Sequence, residues 1–290
     1  MKQSNAVAFA ALLAGGVAIG FAGIFMRLSD VNPIASAFWR MLLAAPPLWG
    51  WALLTARSDR AAGRRTDLSQ ILVLAGLFFG IELGIWHLSL HYTTVANATL
   101  LSNMAPLFIA LWLWLAHGAR FSRGFLAGMA LALVGAVILI GPSAAGGSTH
   151  LLGDGFGLLS TTFYAAYQLV IKDARDSYST ARLMAWSTTI TALALFPFAL
   201  WMPGPFWPAD AAAWLPLLGL ALIAQIGGQT VIAYAFAHLP ASLASVSLLV
   251  QPLTAAIAAL LIFGERIGPW QLGGGALLLC GIYFSKRGFT

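Results

Sequence analysis

Glu82 is the only Asp, Glu, Lys or Arg in the 52 residues from Leu68 to Ala119, and Trp86, His87 and His91 follow it within nine residues. A carboxyl in such surroundings can bind a proton or a substrate amine. An imidazole can titrate between pH 5 and 8, and an indole offers a flat face to an aromatic ligand. On a helix, Glu82 and His87 stand about 140° apart at 100° per residue, so they need not share a face. Glu82, Trp86 and Ser89 form one stripe; Gly80, Gly84, His87 and His91 form another. The competing role for Glu82 is that of a neutral hydrogen-bond donor to a neighbouring helix. We take Glu82, Trp86 and His87 as candidates for a cavity wall, and His91 as interfacial and structural.

Further polar side chains recur at helical spacing inside apolar runs. Gln225 and Gln229 are four apart, as are Ser247 and Gln251; Ser160, Tyr164 and Tyr167 follow i, i+4, i+7, with Gln168 beside them. Asn97 and Asn103 add two amides. Each amide alone suits a helix-to-helix hydrogen bond; their concentration on a few segments favours a shared cavity. Pro106 and Pro252 interrupt helical patterns and would free the carbonyls of Ser102 and Leu248. Gly16, Gly20 and Gly23 form a small-residue stripe, suited to close packing or to helix bending. Arg40 lies seven residues past Pro33, roughly 10 Å along a helix axis. Its default reading is snorkelling to the interface beside Asp30; the sharper one is binding of a substrate carboxylate.

The elements that carry these residues must lie in lipid. The chain is 60% hydrophobic and 8% charged, against roughly 25% charged in soluble domains. No charge occurs in the 54 residues from Ala211 to Gly264, over twice the ~20 residues one spanning helix needs. Continuous apolar runs, rather than alternating ones, predict helices. Ten spans follow: 6–28, 33–55, 69–91, 94–116, 123–141, 153–172, 180–202, 212–236, 240–263 and 267–285. The first is read as an uncleaved helix rather than a signal peptide. With a cytoplasmic N-terminus, 12 of the 15 Lys and Arg fall inside and two outside, which places both termini in the cytoplasm. The single cysteine, Cys280, excludes an intramolecular disulfide, and no Cys/His spacing suggests a metal. The net charge of +6 reflects topology rather than nucleic-acid binding.

The chain also resembles itself. Residues 103–136 align with 249–282 at an offset of 146, pairing Pro106 with Pro252, Gly118 with Gly264 and Gly135 with Gly281. Residues 74–84 align with 217–227 at an offset of 143, pairing Glu82 with Gln225. The expected division is 1–146 and 147–290, five spans each, the second inverted relative to the first. The doubled pattern "LLSNMAPLFIALWLW" and "SLLVQPLTAAIAALLIFGER", with "SLHYTTVANA" and "FAHLPASLAS", resembles the drug/metabolite transporter superfamily, specifically its ten-helix EamA-type exporters. The first copy departs from the pattern, with "HGAR" where the second has "FGER". The chain looks most like the bacterial aromatic amino acid exporters. That resemblance implies a pseudo-two-fold all-α bundle around a central cavity, export of amino acids or other metabolites, and in some members use of the proton gradient.

The expected protein is therefore a multi-pass carrier of a bacterial-type inner membrane, working by alternating access. Its partners would be a small-molecule substrate, the bilayer and, as a candidate coupling ion, the proton; ten spans can hold a whole pathway in one monomer. No cofactor is expected. An enzyme is disfavoured, since no G-x-S-x-G, H-E-x-x-H or Walker loop occurs. Phosphorylated substrates need Lys or Arg on the path, and Arg40 is the only one within a span. A zwitterionic or neutral metabolite fits the amides and aromatics; a cationic compound exported by proton antiport is the alternative that Glu82 keeps open.

Overall fold

The computed structural model describes residues 3–92, 101–140, 151–264 and 268–288; Asn97 lies outside them. All secondary structure among the described residues is helical and forms ten rods. These are α1 (Gln3–Gly20, resumed as Ala22–Leu28), α2 (Pro33–Leu54), α3 (Gln70–Tyr92), α4 (Ala105–His117) and α5 (Arg123–Ile140). After them come α6 (Leu151–Ala174), α7 (Thr180–Trp201), α8 (Trp214–Phe236), α9 (Ala241–Phe263) and α10 (Pro269–Gly288). Five stretches, in α1, α3, α7, α8 and α9, have the length and composition of a membrane crossing, and α4 and α5 are shorter apolar helices. The outer surface is apolar: Leu54, Trp201, Leu261 and Trp270 are each more than three-quarters exposed. Such a surface suits lipid and not water.

Local chemistry sets the helix ends. Asn32 Oδ1 accepts from Ala35 N at 2.8 Å with Pro33 at the first helical position, so α2 starts on a side-chain cap. Ser179 caps α7 in the same way, accepting from Arg182 N. The two helices are the second of each five, and both run 22 residues. Gly118 and Gly264, paired at offset 146, close α4 and α9 with φ of 61° and 69°, a left-handed turn that glycine adopts without strain.

The main helix contacts follow one exchange, in which α1 to α5 swap with α6 to α10. The α3–α6 contact answers α8–α1, α3–α7 answers α8–α2, and α4–α6 answers α9–α1; α2–α7, α4–α9 and α5–α10 map onto themselves. The α5–α10 seam is backbone on backbone. A Cβ at Gly128 would collide with Ser285 and Gly281, one at Gly135 with Leu278 and Gly274, and one at Gly281 with Ala132. The α2–α7 contact is pinned at both ends. At one, Asn32 N donates to Pro205 O (2.7 Å), Asn32 Nδ2 to Ala199 O (3.1 Å) and Trp39 Nε1 to Phe206 O (2.9 Å). At the other, buried Asp59, on the short helix Ala56–Ala61, accepts from Ser179 Oγ at 2.7 Å, and Arg65 N donates to Ser177 O.

Two expected helix breaks take a different form. Pro106 and Pro252 do not kink continuous helices. A turn at 103–104 precedes α4, and one at 248–249 divides α9 into Ala241–Ser247 and Val250–Phe263; each proline sits in the first turn of the helical segment that follows its turn. There a missing N–H costs no hydrogen bond. The Leu248 carbonyl is not freed either: it accepts from Gln251 N at 3.0 Å. Rod α8 carries a feature with no counterpart in α3, a π-helix over Leu220–Gln229. It widens the turn just where Gln225 and Gln229 lie.

Candidate functional site

A cavity of about 100 Å³ lies among α1, α2, α3, α6, α8 and α9. Helix α3 supplies Phe79, Glu82, Leu83 and Trp86, at i, i+3, i+4 and i+7 along a single face; Ser89, the third member of the sequence stripe with Glu82 and Trp86, is off this wall and donates to Gly153 O at 2.8 Å. Arg40 comes from α2, Ser102 and Asn103 from the turn before α4, and Tyr164 from α6. Gln229 from α8, and Gln251 and Ala255 from α9, complete the second half's contribution. Helix α1 closes the ring with Ile19, Gly20, Ala22 and Gly23. Both halves therefore line one space.

Of the candidates read from the sequence, Glu82, Trp86, Asn103, Tyr164, Gln229 and Gln251 are on this wall. His87 is not. It is buried behind Trp86, the rings meeting edge to face at 5.1 Å, and its Nδ1 lies 2.6 Å from the Leu83 carbonyl oxygen. That oxygen can only accept, so Nδ1 is the donor. The 140° between positions 82 and 87 places His87 on the protein-facing side. Tyr167 and Gln168 also stand in a second row: Tyr167 is fully buried and stacks on Phe79 at 4.5 Å with the rings 12° apart.

The glycine stripe divides by function. At Gly16 a Cβ would meet Val250 Cγ1 at 2.6 Å, and at Gly20 it would meet Thr254 Cβ at 2.6 Å; both are close-packing positions against α9. At Gly23 it would meet nothing within 4 Å, because that residue faces the cavity.

Arg40 departs most from expectation. It does not snorkel to Asp30, whose carboxylate instead accepts from Ala209 N at 2.9 Å. The Arg40 side chain turns inward, is 6% exposed and lines the cavity. Its Nε and Nη2 donate to Gln225 Oε1 at 3.2 and 3.0 Å, and Gln225 Nε2 donates to Thr188 Oγ1 at 3.1 Å. Gln225 thus holds the guanidinium from behind, while Gln229, one wide turn on, reaches the wall. The guanidinium also lies 5.7 Å from the centre of the Phe79 ring.

Among the described residues, several buried polar atoms here have no partner in hydrogen-bonding geometry: Trp86 Nε1, Tyr167 Oη, Gln168 Oε1, Gln229 Nε2 and Gln251 Nε2. Tyr164 faces Gln168 and Gln251, and Tyr167 faces Gln229. Buried polar groups are normally satisfied, so this concentration beside one cavity would suit a polar ligand.

Comparison with known proteins agrees with this architecture. The chain matches the EamA-like transporter family over residues 6–141 and again over 151–287, and it belongs to that family. It is 28% identical over 273 residues to a transporter of Archaeoglobus fulgidus, covering 91% of each chain. A probable terminal-alkyne amino-acid exporter of Streptantibioticus cattleyicolor is 26% identical over 290 residues, covering 97% of this chain and 89% of that one. A pseudopaline exporter of Pseudomonas aeruginosa is 23% identical over 177 residues, 61% of each. One solved crystal structure superposes with a TM-score of 0.80 at 16% identity, over 98% of this chain and 95% of the other, and so shares the fold. The protein is a multi-pass membrane transporter of the EamA family.

Proposed function

We propose that the protein exports small metabolites of the amino-acid class, aromatic ones included, through the cavity between its halves by alternating access. The observation that carries this reading is the cavity wall itself, where both halves supply residues and a cation, a carboxylate, aromatic rings and amides converge. The halves divide at 146/147 as inverted repeats; the contact pattern that survives exchange of α1–α5 with α6–α10 supports that division. Two relatives named as exporters, one of an amino acid, support the substrate class. Residence in a bacterial-type inner membrane with both termini cytoplasmic rests on the Lys and Arg distribution. Residues of one chain line the cavity from both halves, which suits a functional monomer.

Transport of this kind needs no covalent step. Glu82 is the only carboxyl on the wall among the described residues, so it is the proton site if export is coupled to a gradient. It would also suit a cationic drug, but Arg40 on the same wall repels a lone cation, which places multidrug export second. The test is uptake into proteoliposomes of labelled tryptophan, phenylalanine, threonine, an organic cation and a nucleotide sugar, with and without a pH gradient. Saturable amino acid uptake is expected. Uptake of the cation alone, or of nothing in the panel, would overturn the proposal.

A further inference from the structure

Arg40 and Glu82 are both nine-tenths buried and both face the cavity, yet no N–O contact within 4.0 Å joins them. Each lies within the other's electrostatic field. An ion removed from water needs an opposite charge in contact or several strong hydrogen bonds, and neither has these among the described residues. Two of the five N–H donors of Arg40 share one neutral amide oxygen, Gln225 Oε1. The only donor to the Glu82 carboxyl among the described residues is Ser160 Oγ, 3.5 Å from Oε1, at the limit of a hydrogen bond. A structural ion pair would have closed to contact; here both groups line one cavity without meeting.

We propose that Arg40 and Glu82 form a two-ended clamp for a zwitterion, Arg40 taking the substrate's carboxylate and Glu82 its ammonium group. The inference rests on the reading of this cavity as the substrate site and specifies what that site recognises. A guanidinium presents parallel N–H bonds that match a carboxylate, and Gln225, itself tied to Thr188, keeps it pointed inward. Trp86 and Tyr164 leave an apolar, aromatic border for the rest of the molecule, and Trp86 Nε1 adds an unpartnered donor. A molecule carrying both charges neutralises both residues at once. A lone cation satisfies Glu82 and meets Arg40, and a lone anion does the reverse, so selectivity arises by exclusion as much as by attraction. Arg40 is therefore a specificity-determining residue, and Gln225 a positioning residue behind it.

The experiment measures binding to the full chain in nanodiscs by calorimetry, with tryptophan, tryptamine (no carboxylate) and indole-3-propionate (no amine), and tryptophan uptake in proteoliposomes alongside. The wild-type protein is expected to bind tryptophan about 10- to 100-fold tighter than either analogue, the range of hydrogen bonds to charged groups. Arg40→Gln should erase the preference over tryptamine and keep that over indole-3-propionate; Glu82→Gln should do the opposite. Arg40→Lys, which keeps the charge and loses the fork, should retain part of the preference and covers the case in which the glutamine variant does not fold. If both variants weaken all three ligands by one common factor, or if the wild-type protein does not distinguish them while still transporting tryptophan, the clamp is wrong and the transport reading stands. If neither tryptophan binding nor tryptophan uptake occurs in the wild type, the amino acid reading falls and the clamp with it.

Discussion

Gln225 and Arg40 meet where the repeat would place an equivalent of Glu82: the amide oxygen of Gln225 accepts both Arg40 bonds, at 3.2 and 3.0 Å. A carboxylate there would neutralise the guanidinium. The expected outcome for Gln225→Glu is a tryptophan uptake lower by at least about tenfold, since a buried charge pair competes with the substrate for Arg40, with a melting temperature in detergent no lower than wild type. Gln225→Leu leaves Arg40 without its holder and should raise the apparent KM more than it lowers the maximal rate. Equal effects on both would remove Gln225 from its positioning role.

Glu82→Gln removes the only carboxyl on the described cavity wall. Accumulation driven by an imposed pH gradient should disappear, while exchange of substrate at equal pH persists only at a raised apparent KM, since the ammonium end of the clamp is lost as well. Gradient-driven accumulation that survives the substitution would place the proton site elsewhere.

Gly20 and Gly23, three residues apart, should respond in opposite ways. At Gly20 a methyl group meets Thr254 Cβ at 2.6 Å and the Gln251 carbonyl at 2.9 Å, so Gly20→Ala is expected to destabilise by about 1–3 kcal/mol, the usual range for overpacking. Gly23→Ala meets nothing and gains helix propensity of ~1 kcal/mol. Thermal unfolding of the two variants in one detergent checks the contrast. Equal melting temperatures would mean that α1 does not pack on α9 as described.

His87→Ala should cost about 1–3 kcal/mol through the lost Leu83 bond and the space left behind Trp86. Tryptophan affinity should change only as far as Trp86 shifts. A change in affinity at unaltered stability would restore His87 to the wall.

Asp59 ties the start of α7 to the end of α2. Asp59→Ala leaves the Ser179 hydroxyl without an acceptor, though Oγ still accepts from Arg182 N, and a loss of about 1–3 kcal/mol is expected for a buried donor left unsatisfied. Arg64→Ala breaks only a half-exposed pair at 3.5 Å, worth about 0–1 kcal/mol. Unfolding in denaturant separates them, and the reverse order would contradict the buried role of Asp59.

Much of this organisation is legible in the residue pattern because apolar length and charge gaps set the spans, and an offset of 146 already pairs the two capping glycines, Gly118 and Gly264. Where side chains point is harder to read. Arg40 carries a side chain long enough to reach either an interface or a cavity, and only the position of Gln225 on a different half of the chain decides between them. His87 and Tyr167 share the polar character of wall residues but lie one row behind, a distinction set by helix rotation. Nothing in "LALIAQIGGQ" announces a π-turn, so the separate destinations of Gln225 and Gln229 follow from a backbone feature that side-chain spacing does not encode. Phe79, Ile19 and Ala255 reached the wall with no signal at all, being apolar residues among many.

Among the described residues, both charged side chains of the cavity come from the first five rods, whereas the second five contribute neutral ones to it. A frame built from two matching copies would read alike from either face of the bilayer. Confining the charges to one copy gives the pathway a top and a bottom: a polar molecule inside it has one preferred heading, whichever face is open.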